Sequence, residues 1–491
     1  MHYFVWLFDH AIFAFSLTVM ASYAFLAIYA AMEMVYYKRK TKYIDYGILV
    51  ASPLAPGVSL IAPAYNEGLN IVDNIKSLLS LFYNNYEVII VNDGSKDDTL
   101  AKMIAAYDLV LSQEVVNLKL QTKPLRGIYR SRNAAFRRLV VVDKVNGGKA
   151  DALNIGVNVS SKNLVACIDV DCILEQYAIC KMVKPFMEST KPVIAVGGVI
   201  RVANSCEIEN GRLISTQVPS QFFPRIQVLE YFRAFLMGRM AWARMDGLLL
   251  ISGALGLFDK QIMIAAGGYN HKTVGEDMEV VVRMRGYMLE RKLPYTVKYI
   301  PDPLCWTEAP VDAKILGRQR NRWTRGTIET LLLHRKMFFN PKYGIIGMVS
   351  YPYWFFFEWM APIVEVLGMF AFLIFGVLGY ANWPFALVMI GLIYAYAVML
   401  SFCSILYEEV SFRQYPAWSD LFRLMATAFF EPILYHPRQL IWSIRGNIDW
   451  SRGKNTWGEM VRTGLSAQPK PTAAGPIPNA NPSPATAATQ S

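Results

Sequence analysis

The chain has 491 residues, 54% of them hydrophobic, with a formal net charge of +11 and a positive mean hydropathy. That length exceeds what one core usually encloses, and apolar content gathered into uncharged runs of spanning length excludes an ordinary soluble enzyme. The basic excess comes without a basic repeat, zinc-ligand spacing or an RNA-binding signature, so positive-inside topology explains it better than nucleic acid does.

From Ala11 to Met32 no residue is charged, which at about 1.5 Å rise per residue is enough helix to cross a bilayer. No lysine or arginine precedes this run, whereas Lys38, Arg39, Lys40 and Lys42 follow it. Residues 1–42 therefore read as a transmembrane anchor and not a cleaved signal peptide, with the downstream segment on the cytoplasmic side. In residues 57–335, β-branched runs such as Val58 to Ala62, Val88 to Val91 and Leu164 to Ile168 alternate with helical patterns. That predicts an α/β domain with a mainly parallel sheet and a site beyond the carboxyl ends of its strands. The six cysteines lack paired CxxC spacing and five fall in this segment, so free thiols are expected.

Val366 to Tyr407 is uncharged and broken by Gly379-Tyr380-Ala381-Asn382-Trp383-Pro384, which predicts a transmembrane hairpin. The aromatic-rich stretch before it, with Pro352, Glu358 and Pro362, reads as interfacial or spanning. Leu424 to Tyr435 is short for a span and contains Glu431 and Pro432, and the arginines beyond it favour a cytoplasmic tail. Residues 343–465 are thus expected to hold interfacial and transmembrane helices, with two or four C-terminal spans. Residues 466–491 carry almost no large apolar group and are expected to be disordered.

The chemistry concentrates in a few short stretches. Asp169-Val170-Asp171 ends an apolar strand, where side chains at i and i+2 present two carboxylates to one point. Two hard oxygens suit Mg²⁺ or Mn²⁺ on a diphosphate, although an isolated pair of this kind also serves as a turn or helix cap. Pro63-Ala64-Tyr65-Asn66-Glu67 and Asn92-Asp93-Gly94-Ser95 follow the first two strands, and neither is a dinucleotide fingerprint. Gly147-Gly148-Lys149 lacks the rest of a Walker A loop but starts a helix with Lys149 near phosphate oxygens, or merely exposes a lysine there.

Gly275-Glu276-Asp277 opens another helical pattern. An acidic pair there either complements the helix dipole or supplies a general base. In Gln319-Arg320-Asn321-Arg322-Trp323, the spacing i, i+3, i+4 puts Gln319, Arg322 and Trp323 on one helix face. Arginine can fork onto phosphate and an indole can carry the apolar face of a sugar ring; the plainer alternative is a basic amphipathic helix at the membrane surface.

Taken in order, AYNE, NDGS, GGKADALN, DVD, GED and QRNRW resemble the motif series of processive family 2 glycosyltransferases, the cellulose, hyaluronan, chitin and poly-N-acetylglucosamine synthases. The resemblance covers residues 57–335 and implies a GT-A-type nucleotide-sugar-binding domain inserted between N-terminal and C-terminal transmembrane helices. It assigns Tyr65, Glu67 and Asp93 to the nucleoside, Asp169 and Asp171 to diphosphate and metal, and Lys149 to the phosphates. Glu276 and Asp277 become the catalytic pair, with Asp277 the base. Gln319, Arg322 and Trp323 hold the diphosphate and acceptor terminus, and Ser252-Gly253 lines the acceptor channel. The implied partners are a UDP-sugar donor, a growing polysaccharide and the lipid bilayer, with accessory membrane or export subunits left open and no nucleic acid.

Glycine in place of the commoner threonine or serine before the ED pair, one N-terminal span, no C-terminal cyclic-dinucleotide module and the basic stretch Arg126 to Arg138 separate the chain from standard cellulose synthases. The poly-N-acetylglucosamine type is nearest. The expected function is metal-dependent, inverting polymerisation of a β-linked polysaccharide at the inner membrane with the catalytic domain in the cytoplasm. Transfer of one sugar to a lipid acceptor is the alternative within enzymes; a silent scaffold or sugar-conducting pore is the alternative outside them.

Overall fold

A computed structural model describes residues 2–209 and 211–454. The tail expected at 466–491, and the end of the 343–465 segment, lie outside them.

The catalytic-side strands are β1 (Val58–Ala64), β2 (Tyr86–Asn92), β3 (Leu109–Ser112), β4 (Leu125–Ser131), β5 (Leu139–Lys144), β6 (Leu164–Ile168), β7 (Ile173–Leu174) and β8 (Val193–Val202), then the hairpin β9 (Glu207–Glu209) and β10 (Arg212–Ser215), then β11 (Leu255–Asp259) and β12 (Thr296–Thr307). Ten of them form one sheet in the order β3-β4-β5-β2-β1-β6-β11-β8-β12-β7. The core of β5, β2, β1 and β6 is parallel, as the sequence predicts. β8 and β12 are parallel too, but the remaining pairs correct that expectation and make the sheet mixed: β11 runs antiparallel to both β6 and β8, and β4 and β7 pair antiparallel at the edges. The cause of the misreading is burial. A strand covered on both faces, as β8 is throughout, gives a continuous apolar run whichever way it points.

The reversed strand has a consequence for the site. Because Leu255 at the start of β11 pairs with Ile168 at the end of β6, the turn before β11 reaches the same rim as the carboxyl ends of β1, β2 and β6. Helix Lys149–Val159 covers these strands; at Gly156 a Cβ would lie 2.3 Å from Ile61 Cγ2, so only glycine lets it sit this close.

Helix His2–Thr41 carries Lys38, Arg39 and Lys40 in its last turn, where cations complement the helix dipole. Among the described residues three helical stretches, Val5–Thr41, Ile346–Val377 and Trp383–Ser411, are long and apolar enough to cross a membrane. The aromatic stretch of unsettled character is therefore the first half of the second of these. The hairpin turn closes with Gly379 at φ +75° and with Asn382 accepting from Phe385 N–H at 3.2 Å. The outward residues, Leu367, Phe370, Leu373, Val377, Leu387 and Val388 among them, are exposed and apolar, as lipid contact requires. Helices Trp418–Leu434 and His436–Ser451 follow, and the second packs on helix Ala313–Leu333. Gly317 and Gly446 permit that crossing: a Cβ on either would come within 2.6 Å of Trp442 Nε1 or 2.8 Å of Thr324 Cβ.

Candidate active site

The donor end is assembled from loops that brace one another. Asp93, buried at the end of β2, accepts from Lys144 Nζ at 2.7 Å, Gly147 N–H at 2.9 Å and Gly148 N–H at 2.8 Å. Its carboxylate thus holds the glycine turn while lining the cavity. Gly94 lies at φ +66° with a would-be Cβ 2.8 Å from Asn146 N, so the NDGS turn needs glycine to reach that loop. Beyond β1, Tyr65 is exposed, Asn66 adopts φ 56°, and Glu67 N–H donates to Thr99 Oγ1 at 2.9 Å.

The glycine turn delivers Lys149 as the first residue of its helix. Lys149 Nζ sits 2.5 Å from Asp169 Oδ1 and 4.0 Å from Glu276 Oε1, and it donates to Gly253 C=O at 3.3 Å. Burial opposes its charge, but Asp169 and Glu276 outweigh burial and hold the ammonium above the usual lysine range. Glu276 is 3% exposed; burial pushes its carboxyl up to about 7, against the pull of Lys149.

Asp169, Asp171 and Cys172 bring ligand atoms within 4.8 Å of one another. The donor set fits a hard divalent cation through its two carboxylates. Cys172 fits it poorly, because a hydrogen bond with Cys305 and burial push its thiol pKa well up. All six cysteines are free thiols.

Asp277 stands opposite. Its Oδ2 accepts from Gly253 N–H at 3.1 Å, and a Cβ at Gly253 would lie 3.2 Å from Lys149 Nζ and 3.4 Å from Asp277 Oδ2. The bare backbone of Ser252-Gly253 thus separates Lys149 from Asp277. Gly275 meets Gly326 so closely that a Cβ on either would be 2.6 Å from the other's Cα. Glu329 secures the junction by accepting from Thr273 Oγ1 and Val274 N–H, each at 2.8 Å. The glycine before the ED pair is therefore a packing device that seats helix Ala313–Leu333 against the start of the helix that carries Asp277.

On that helix, Gln319, Arg322 and Trp323 face the site and the residues between them anchor it. Arg320 lies 4.3 Å from the Trp323 ring centroid and 2.6 Å from Glu230 Oε2, while Asn321 donates to Asp449 at 3.0 Å. Arg320 was findable from its i, i+3 spacing to Trp323; Glu230, far away in the chain, left no local signal. Gln319 Oε1 is buried and lacks a hydrogen-bond partner among the described residues.

One cavity of about 1940 Å³ unites all of this. Tyr65, Glu67, Asp93, Lys149, Asp169, Asp171, Ser252, Gly253, Glu276, Asp277, Gln319, Arg322 and Trp323 all line it. It then continues past Trp242 and Tyr353 between the apolar helices as far as Phe8 and Asp9. Ligand pockets are typically about 300–1,000 Å³, so the space exceeds what a nucleotide-sugar needs.

Known proteins resemble this chain. A poly-beta-1,6-N-acetyl-D-glucosamine synthase of Staphylococcus epidermidis is 29% identical over 311 residues, 63% of this chain and 64% of that protein. The Staphylococcus aureus (strain COL) synthase of the same name is 30% identical over 280 residues, 56% of each. The chain thus spans less than two thirds of these relatives' length. A Pyrobaculum calidifontis mannosyltransferase, solved with GDP-Man and Mn²⁺, superposes with a TM-score of 0.50 at 15% identity, covering 90% of this chain and 99% of that one. It shares the fold. The model of the glycosyltransferase like family 2 matches residues 56–326, more than half of the sequence, and the chain belongs to that family.

Proposed function

We propose that the protein is a membrane-embedded, inverting glycosyltransferase that extends a β-linked polysaccharide of the poly-N-acetylglucosamine type from a UDP-sugar, with its catalytic domain on the cytoplasmic side. The observation that carries this reading is the single cavity joining the Asp169–Asp171 pair, Asp277 and Trp323 to the space between the apolar helices. The staphylococcal relatives, by name, support the polymer class.

A divalent cation at Asp169 and Asp171, Mg²⁺ or Mn²⁺, would supply charge neutralisation for the departing diphosphate; the Pyrobaculum neighbour, solved with Mn²⁺, supports that choice. Lys149 and Arg322 hold the phosphates beside those carboxylates. Asp277 accepts the proton of the attacking acceptor hydroxyl, and Gly253 N–H fixes its carboxylate while it does so. Trp323, steadied by Arg320, carries the apolar face of the acceptor sugar. One displacement inverts the anomeric centre, and the chain advances into the passage by a sugar.

The test is a donor panel. Protein in lipid nanodiscs with Mg²⁺ or Mn²⁺ is given UDP-glucose, UDP-N-acetylglucosamine, UDP-glucuronate or UDP-galactose, and UDP release and product length are followed. UDP-N-acetylglucosamine is expected to give a lengthening product. A single-sugar product would move the function to a lipid-acceptor transferase.

A further inference from the structure

Two charged side chains in the passage have no part in the chemistry above. Arg239 ends a π-helical segment, Phe232–Arg239, and Glu358 lies in another, Trp354–Met360. Such segments are rare and recur at functional sites. Both residues line the cavity. Arg239 stacks on Phe235 with its guanidinium carbon 3.8 Å from the ring centroid, and its buried Nη1 has no hydrogen-bond partner among the described residues.

The other buried arginines nearby are neutralised. Arg320 pairs with Glu230 at 2.6 Å, Arg233 pairs with Glu431, and Arg201 pairs with Glu408. Among the described residues Arg239 has no such ion pair, and burial draws its pKa down. Arg239 lines one cavity with Asp277 and Glu358; it stands three residues before Trp242 on a continuous helical run, and Tyr353, across from Trp242, hydrogen-bonds Glu358. Around it stand aromatic walls: Trp242 and Tyr353 meet edge to face with centroids 4.9 Å apart, and Trp354 and Phe357 line the same space.

A guanidinium offers only donors and a carboxylate only acceptors. A group that satisfies both at once must present an acceptor at one edge and a donor at the other, and remain neutral. A secondary amide does this. A uronate carboxylate brings no donor for Glu358, and a free ammonium would meet repulsion from Arg239.

We propose that Arg239 and Glu358 form an acceptor subsite that recognises the N-acetyl group of a sugar in the growing chain, with Arg239 donating to the amide carbonyl and Glu358 accepting from the amide N–H. This rests on the polysaccharide reading above and names what that chain must carry.

The experiment compares two soluble acceptors, a β-linked N-acetylglucosamine oligosaccharide and its de-N-acetylated counterpart, with UDP-N-acetylglucosamine and Mn²⁺ and the full chain in nanodiscs. The unsubstituted protein is expected to prefer the N-acetylated acceptor. Arg239→Gln is expected to raise the KM for that acceptor about tenfold and to erase the preference, while the donor KM moves less than about twofold. Arg239→Lys keeps the charge but not the fork and should recover only part of the preference. If Arg239→Gln is not recovered folded, Glu358→Leu, which suits a membrane helix, is expected to give the same loss. A preference unchanged in either variant overturns the subsite. Equal extension of both acceptors by the unsubstituted protein overturns it while leaving the polymerase standing; extension of neither overturns both.

Discussion

The two ends of the cavity are built on different principles. At the donor end, charges touch: Lys149 lies 2.5 Å from Asp169, and Lys144 bridges Asp93 and Asp151 at 2.7 and 2.6 Å. At the membrane end the walls are aromatic, and Arg239 has a donor without a partner among the described residues. The contrast teaches what each end handles. Paired charges on short loops can be exchanged for a diphosphate and its cation, whereas flat apolar faces with sparse polar groups suit a neutral chain that must slide.

The largest effect that would break this contrast is at the base. Asp277→Asn is expected to lower transfer by about 10²–10⁴-fold with donor binding retained, measured by UDP release beside nucleotide titration. If transfer survives, the base lies elsewhere. Next, Asp171→Asn should cost about 10²–10³-fold and weaken the response of activity to added Mn²⁺; a variant with the unsubstituted metal titration would remove the pair from the donor end. Trp323→Ala sharpens the boundary between the ends. Product length should fall about tenfold while the donor KM changes less than about twofold, and a loss of donor affinity instead would assign the indole to the other end.

Two smaller effects concern the joint between the ends. Gly275→Ala drives a methyl into Gly326 and should destabilise the domain by about 1–3 kcal/mol, visible as a lowered Tm. Glu276 has a folded pKa of about 7 against an ordinary value of 4.5. Folding therefore favours its protonated form, which contributes full stability below pH 4.5 and loses it as pH rises through 7. Glu276→Gln should flatten the fall in Tm between those values; an unaltered pH profile would show that Glu276 does not titrate there.

The donor end was legible because its parts are contiguous. DVD, GED and QRNRW each place their residues by local spacing at a strand end or on one helix face, and the structure gathers all of them around one cavity. The first span and the hairpin were legible from the absence of charge. The direction of β11 was not, since burial on both faces hides polarity, and it is this reversed strand that carries Ser252-Gly253 to the base. Arg239, Glu230 and Glu358 were not legible either. Glu230 and Arg239 share one continuous helical run and Glu358 lies on another, two of the three in π-helical segments, and packing alone brings those runs to the cavity.

The most direct test of the central claim is the size and anomeric configuration of the product made by the purified chain in nanodiscs from one UDP-sugar and a divalent cation. A β-linked product that lengthens with time is expected. An α-linkage would contradict the single inverting displacement at Asp277, and a product of one fixed size would contradict the passage.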